Sequence, residues 1–431
     1  MCRWGRATVG TLVAAIVTFL LVEPTAVAAA AAPPPSGASA AAPPPALAAP
    51  APAGVCPGHE APPGPPAREE TVPMAPVAVP QQPVGGPRLG ACGDVLPDGA
   101  APPPAVSAAG WVVADLDSGT VLAAHDPHGR QRPASTLKIL TTLVVRAELD
   151  PDADVVVTPE DVRVDGSKAG IGPGGHYSVR QLLAGLLLNS GNDTAMALAR
   201  TMGGVPAALQ AMQARADRLG ALDTRPATPS GLDGPGMSTS AYDLAVLFRV
   251  ALRDPLVRET LATPTVPFPG FADRPGFQIS NDDPLLRTYP GAFAGKTGFT
   301  DAARHTFVGA AERNGRRLVV AMVRGEQHPV RMVAQAGALL DYGFALPATA
   351  GVGTLVDSRP VEPAPAPAPA PVAVAPAPAA HPVPVPVWAV AATVALILVA
   401  GTGVLLARRR HRKRPPDQVV PGDTPVGGDR R

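Results

Sequence analysis

The feature that most limits what this chain can fold into is where its prolines lie. Of 431 residues 56 are proline, and most fall in two Ala/Pro-rich blocks, roughly Pro33 to Pro104 and Pro360 to Pro386. Proline fixes φ and donates no backbone hydrogen bond, so such tracts cannot enter a helix interior or a central strand. With little to bury, both blocks are expected to be extended and mobile. Folding is thereby confined to the roughly 250 residues between them, enough for one large core. A net charge of +1 gives no general attraction to nucleic acid, and no such partner is expected. The one dense basic run is Arg408-Arg409-Arg410-His411-Arg412-Lys413-Arg414.

The two ends place the block between them. Arg3 and Arg6 precede an uncharged, mostly apolar run from Ala7 to Val22, and Ala26-Val27-Ala28 offers small residues for cleavage. That is the layout of a secretory signal, residues 1–28, with a retained membrane helix as the alternative. Residues 29–104 then form the first Pro/Ala segment and 358–386 a stalk. Val387 to Ala407 carries no charge over 21 residues, about 31 Å as a helix, the thickness of a bilayer core. The basic cluster follows at once, so residues 408–431 are expected in the cytoplasm and the catalytic block in the wall space. Cys2 belongs to the leader, which leaves Cys56 and Cys92 in an oxidising compartment. A disulfide between them is expected there, the alternative being two free thiols.

The central block, residues 105–357, mixes two periodicities. Trp111 to Leu116 and Thr120 to Ala124, joined through Asp117-Ser118-Gly119, read as a hairpin. Helical patterns run from Ser135 to about Leu149, Ser178 to Leu188, Thr194 onward with Asp193 as N-cap, Val205 to Leu219 and Ser240 to Leu252. From Gly291 the texture turns to strands, Gly291 to Gly298, Thr306 to Glu312 and Leu318 to Arg324, the last two joined around Asn314-Gly315. Val330 to Tyr342 reads as a closing helix. Strands at both ends with helices between them predict an α+β fold, with one sheet assembled from the two ends.

Lysine usage carries the chemistry. Among 36 basic side chains only Lys138, Lys168, Lys296 and Lys413 are lysine. A retained lysine does what arginine cannot: it loses its proton, or acts as a compact point charge. Lys138 follows Ser135 by three residues, on the same helix face. A hydroxyl is a poor nucleophile until a base takes its proton, and neutral lysine is such a base once burial and nearby cations lower its pKa. Ser190-Gly191-Asn192 sits in a break between helices, where a hydroxyl and a carboxamide can relay a proton and hold a peptide amide. Lys296-Thr297-Gly298 lies on a strand whose edge can pair an extended peptide while Lys296 and Thr297 hold a terminal carboxylate. Read singly, these pieces are also an exposed helix lysine, an inter-helix turn and a strand end.

Together and in this order, they resemble the penicillin-recognising serine enzymes, specifically the D-alanyl-D-alanine carboxypeptidases among the low-molecular-mass penicillin-binding proteins. The flanks agree: Arg132-Pro133-Ala134-Ser135, Asn189-Ser190-Gly191-Asn192-Asp193-Thr194-Ala195, Thr228-Pro229-Ser230-Gly231-Leu232 and Gly295-Lys296-Thr297-Gly298-Phe299-Thr300-Asp301. The resemblance runs from about Ala105 to Val356 and looks nearest to actinobacterial members with a Pro-rich stalk. It implies an antiparallel sheet flanked by helices, the fold shared with serine β-lactamases. It also implies that Ser135 forms an acyl-enzyme, Lys138 is general base, and Ser190 and Asn192 serve proton transfer and amide binding. Lys296 and Thr297 would bind the substrate carboxylate, and the backbone N–H groups of Ser135 and Phe299 would form the oxyanion hole beside Gly298. Some relatives carry a further β-rich domain after the closing helix, for which the segment between Phe344 and the stalk is too short.

The implied substrate is the D-Ala-D-Ala end of peptidoglycan stem peptides, with no cofactor and no metal, and with β-lactams as inhibitors. A class A β-lactamase would need a glutamate downstream of the Ser-x-Asn element to activate water, and Asp193 to Arg258 contains none. A Ser-His-Asp hydrolase lacks its Gly-x-Ser-x-Gly elbow, and a zinc peptidase would need a third partner for His125 and His128. A catalytically silent wall-binding protein would be expected to have lost part of the set, and none is missing.

Overall fold

The run Leu318-Val319-Val320-Ala321-Met322-Val323 is apolar without alternation, which a strand tolerates when both of its faces are covered. Both are covered in the computed structural model, which describes residues 56, 58–64 and 66–358. In chain order the strands are β1 (Asp94–Val95), β2 (Gly110–Asp115), β3 (Thr120–His125), β4 (Asp154–Val156), β5 (His176–Ser178), β6 (Thr265–Phe268), β7 (Phe277–Ser280), β8 (Ala292–Thr300), β9 (Arg304–Arg313), β10 (Arg316–Gly325) and β11 (Gly353–Thr354). The helices are α1 (Lys138–Glu148), α2 (Val179–Leu188), α3 (Asn192–Thr201), α4 (Val205–Arg218), α5 (Ala241–Ala251), α6 (Pro255–Ala262), α7 (Leu285–Thr288) and α8 (Met332–Ala345).

The main sheet has the order β1-β3-β2-β10-β9-β8, with β11 on β3, and every pairing in it is antiparallel. Its central seam, Val320 opposite Val113 and Met322 opposite Trp111, joins the first hairpin to the last and so assembles one sheet from the two ends of the block. Side chains alternate across it with period two. Val319, Ala321 and Val323 face the large helical layer containing α1, α2 and α5. Leu318, Val320 and Met322 face α8 together with Trp111, Val113, Leu339 and Leu340. The fold is α+β as expected, and β8 is left at one edge of the sheet, next to the start of α1.

Local chemistry explains the helix ends. Ser178 caps α2 and Gln181 reaches back to it, a reciprocal capping box. Ser240 caps α5 through the backbone N–H of Asp243. Asp193 proves to lie inside the first turn of α3, which starts at Asn192 behind Gly191. Its buried carboxylate accepts instead from the N–H groups of Ala169, Gly170 and Thr194 at 2.8, 2.9 and 2.9 Å, tying the preceding loop to the helix.

The first proline-rich block departs from expectation. Far from mobile, its described part is an extended arm laid on the domain, with Leu89 and Val95 inside the large core. The reason is the arm's carbonyls. A proline-rich chain lacks N–H groups but keeps every acceptor, and three arginines donate to them. Buried Arg130 reaches Glu60 O at 2.8 Å, Ala78 O at 3.0 Å and, more closely still, Val77 O. Arg132 reaches Pro63 O at 3.2 Å and Arg225 reaches Ala75 O at 2.9 Å. A Cys56–Cys92 disulfide closes the arm, its Cα atoms 5.4 Å apart. Among the described residues no helix is long and apolar enough to cross a membrane. The expected signal, the stalk beyond residue 358, the span 387–407 and the basic tail all lie outside them.

Candidate active site

Ser135 sits in a short 3-10 turn, Ala134–Leu137, that runs directly into α1. The residue before it is strained: Ala134 has φ +47°, a region that costs a non-glycine residue roughly 1–2 kcal/mol. The turn is pinned from three sides. The hydroxyls of Thr136 and Thr306 both donate to Pro133 O, at 2.6 and 2.8 Å. Gly231 packs so closely on Ala134 O that a β-carbon there would collide with it. Gly298 of β8 lies against the turn too, where a β-carbon would come within 2.9 Å of Ser135 N and 3.0 Å of Thr136 N. Glycine at both positions is therefore a condition for the nucleophile turn to exist.

Lys138, one helical turn on, is fully buried, and its Nζ lies 2.9 Å from Ser135 Oγ. It donates to Asn192 Oδ1 at 2.7 Å and to Ser230 O at 2.6 Å. Asn192 is oriented in turn by donating from Nδ2 to Asp165 O at 2.7 Å. Burial pushes Lys138 well below the usual lysine range, and the nearby charge of Lys296 pushes it the same way. A neutral amine has two N–H donors and one lone pair. Two acceptor-only oxygens lie where those donors would go, so a neutral Lys138 would keep its lone pair for the hydroxyl of Ser135.

Ser190 lies within the break between α2 and α3 in a left-handed conformation, φ +63°, and among the described residues its buried Oγ has no hydrogen-bond partner. On the far side Lys296 is also fully buried, donating to Thr297 O at 2.9 Å with Asp282 Oδ1 at 3.9 Å. Burial lowers its pKa, and Asp282 and Asp283 oppose the shift. Thr297 Oγ1 donates to Asp282 Oδ2 at 3.3 Å. Phe299 follows Gly298 with its ring 47% exposed, packed on His305 at 4.5 Å between ring centroids.

All three sequence motifs thus converge around Ser135. Several contributors were missed. The carbonyls of Ser230 and Asp165 act through backbone, which side-chain reasoning does not see. Asp282-Asp283 lies before β8, and its only visible signal was a carboxylate pair preceding Pro284. His128 is buried as well, with its Nδ1 2.7 Å from Asp223 and its Nε2 3.0 Å from Val84 O. With Arg130 also on Asp223, at 3.2 Å, this cluster fastens the arm.

A serine hydroxyl beside a buried lysine and next to an edge strand is the arrangement of an acyl-transferring serine hydrolase. The family model for D-alanyl-D-alanine carboxypeptidase matches residues 98–327. The chain is similar to D-alanyl-D-alanine carboxypeptidase DacB2 of Mycobacterium tuberculosis, 49% identical over 267 residues that cover 61% of this chain and 91% of the relative. It is similar in structure to a D-alanyl-D-alanine carboxypeptidase from Mycobacterium tuberculosis H37Rv, with 47% identity, a TM-score of 0.59, and coverage of 60% of this chain and 99% of the other. The Streptomyces K15 DD-transpeptidase also matches, at 28% identity and a TM-score of 0.55, covering 57% of this chain and all of that one (100%). The chain belongs to the D-alanyl-D-alanine carboxypeptidase family and is a serine-type carboxypeptidase acting on peptidoglycan.

Proposed function

We propose that this carboxypeptidase removes the terminal D-Ala of stem peptides through an acyl-enzyme on Ser135. Lys138 takes the hydroxyl proton as Oγ attacks the scissile carbonyl carbon. The backbone N–H groups of Ser135 and Phe299 hold the oxyanion. The C–N bond breaks, and the departing D-Ala amine receives the proton from Lys138, directly or through Ser190 Oγ. Water then attacks the ester, returning the proton to Ser135 and releasing the shortened peptide. Asn192 holds Lys138 and a substrate amide, Lys296 and Thr297 hold the terminal carboxylate, and Gly298 lets the peptide lie against β8. One observation carries this reading: both N–H groups of a neutral Lys138 already have carbonyl acceptors, at 2.7 and 2.6 Å, while its Nζ stays 2.9 Å from Ser135 Oγ.

β-Lactams fit the same cycle as inhibitors. Their leaving group stays tethered to the acyl chain, and no glutamate between Asp193 and Arg258 is there to drive water past it. Stopped-flow mixing with a chromogenic β-lactam should give a stoichiometric burst followed by almost no turnover. Sustained rapid hydrolysis would favour the β-lactamase alternative. Placement in the cell is part of the proposal: export by residues 1–28 and anchoring by residues 387–407, with the Pro-rich stalk holding the enzyme within the wall and the basic tail inside. The uncharged 21-residue run ahead of the basic cluster supports it. Release of the intact chain from membranes by alkaline carbonate would refute the anchor.

A further inference from the structure

Residues 56–97 precede the family match, yet part of them lies beside the active site. A cavity of about 780 Å³ separates the arm from the catalytic face, within the ~300–1,000 Å³ of small-ligand sites. Ala67 and Glu69 line one side of it, and Asp165, Leu232, Asp233 and Phe299 line the other. The second set adjoins the catalytic groups. Asp165 O orients Asn192, Leu232 lies two residues after the Ser230 carbonyl that holds Lys138, and Phe299 follows Gly298.

The direction of the substrate follows from the reading proposed above, on which this inference rests. With the terminal carboxylate at Lys296–Thr297 and the scissile carbonyl at Ser135, the preceding part of the peptide must leave past Phe299. The cavity opens there, lined further along β8 by Thr300. Asp233 lines this wall as well, and among the described residues its buried Oδ1 has no hydrogen-bond partner.

We infer that the arm forms one wall of the subsite for the stem-peptide residues preceding the D-Ala pair, and that Glu70 is the residue that positions this wall. Glu70 grips Arg132 with both carboxylate oxygens, at 2.7 Å each, and its backbone N–H bonds Ala67 O at 2.9 Å. The wall is therefore hung from the irregular segment that leads into Ser135. Arg130, the His128–Asp223 pair and the Cys56–Cys92 bridge hold the rest of the arm.

The test compares two substrates on the full-length protein, a D-Ala-D-Ala-terminated stem pentapeptide and an N-acyl-D-Ala-D-Ala dipeptide too short to reach the arm. Glu69→Trp narrows the cavity from an exposed position, and Glu70→Gln loosens the wall. In each variant the ratio of kcat/KM for pentapeptide to that for dipeptide should fall at least ~5-fold, the scale of one lost contact. Penicillin labelling and melting temperature show that the variant is folded, and Glu70→Gln decides if Glu69→Trp is not. Glu70→Asp should recover part of the ratio. An unchanged ratio in Glu70→Gln, or equal losses on both substrates, would overturn the inference. Failure of the wild type to cleave the dipeptide or take up penicillin would instead overturn the catalytic reading beneath it.

Discussion

Lys138 and Lys296 are both fully buried, but among the described residues only Lys296 has a carboxylate oxygen within 4 Å, Asp282 and Asp193 acting on Lys138 from farther away. The direct partners of Lys138 are a hydroxyl, an amide oxygen and a backbone carbonyl, all neutral. Lys296 has Asp282 Oδ1 at 3.9 Å and Asp283 close by, and both carboxylates work against the effect of burial. Burial alone drives a lysine toward the neutral amine, and a neighbouring carboxylate restores the cation. One residue type is thereby placed in two different electrostatic surroundings. On the reading proposed above, Lys138 accepts a proton and Lys296 remains a charge that a substrate carboxylate can find. Lys296 also helps to lower the pKa of Lys138, its charge adding to the effect of burial.

The comparison presupposes the nucleophile, so the largest effect tests that. Ser135→Ala should abolish covalent labelling by a fluorescent penicillin in a folded protein, read on a denaturing gel. Retained labelling would move the site elsewhere. Next come the two lysines themselves. Lys138→Arg keeps a charge but cannot accept a proton, so turnover should fall at least ~100-fold, the low end for loss of a general base. Lys296→Arg keeps what its site requires and should act mainly on KM, by roughly 10-fold, since a guanidinium fits a compact charge site imperfectly. Equal losses in kcat for both variants would erase the distinction.

Two smaller effects sharpen it. Asp282 competes with the substrate carboxylate for Lys296 and Thr297, so Asp282→Asn should lower KM for D-Ala-D-Ala peptides. The pair is partly exposed, which limits the gain to ~5-fold. A raised KM would mean that Asp282 chiefly orients Thr297. Asp283 is buried against Gly295, and burial raises its pKa to about 6. A carboxyl whose folded pKa lies above its unfolded value contributes stability at low pH, and that contribution is lost as pH rises through the folded value. The native protein should therefore lose stability between about pH 4 and pH 6 relative to Asp283→Asn. Thermal melts across that range check it, and parallel curves would refute it.

Much of this was legible in the sequence because the informative residues are rare or sterically special. Four lysines in a chain of arginines pointed to Lys138 and Lys296, and the strand texture after Gly291 pointed to one sheet built from both ends. The short elements escaped: β1, β4 to β7 and β11 are two to four residues long and carry no periodicity. The arm was misjudged because composition counts what a proline tract cannot bury and ignores the carbonyls it still offers. Arg130 and Arg132, two residues apart just before Pro133, were the available clue. The strain at Ala134 and the carbonyl of Ser230 left no trace, because backbone conformation and backbone acceptors are not written in residue type.

The central claim is that Lys138 is a neutral amine at working pH, and the chain's four lysines make it directly measurable. In protein labelled with 15N at lysine Nζ, side-chain resonances followed from pH 6 to pH 11 should include one that reaches the neutral-amine shift well before the others, and that signal should vanish in Lys138→Arg. A full set of lysine resonances all remaining ammonium until about pH 10, the ordinary lysine range, would contradict the account.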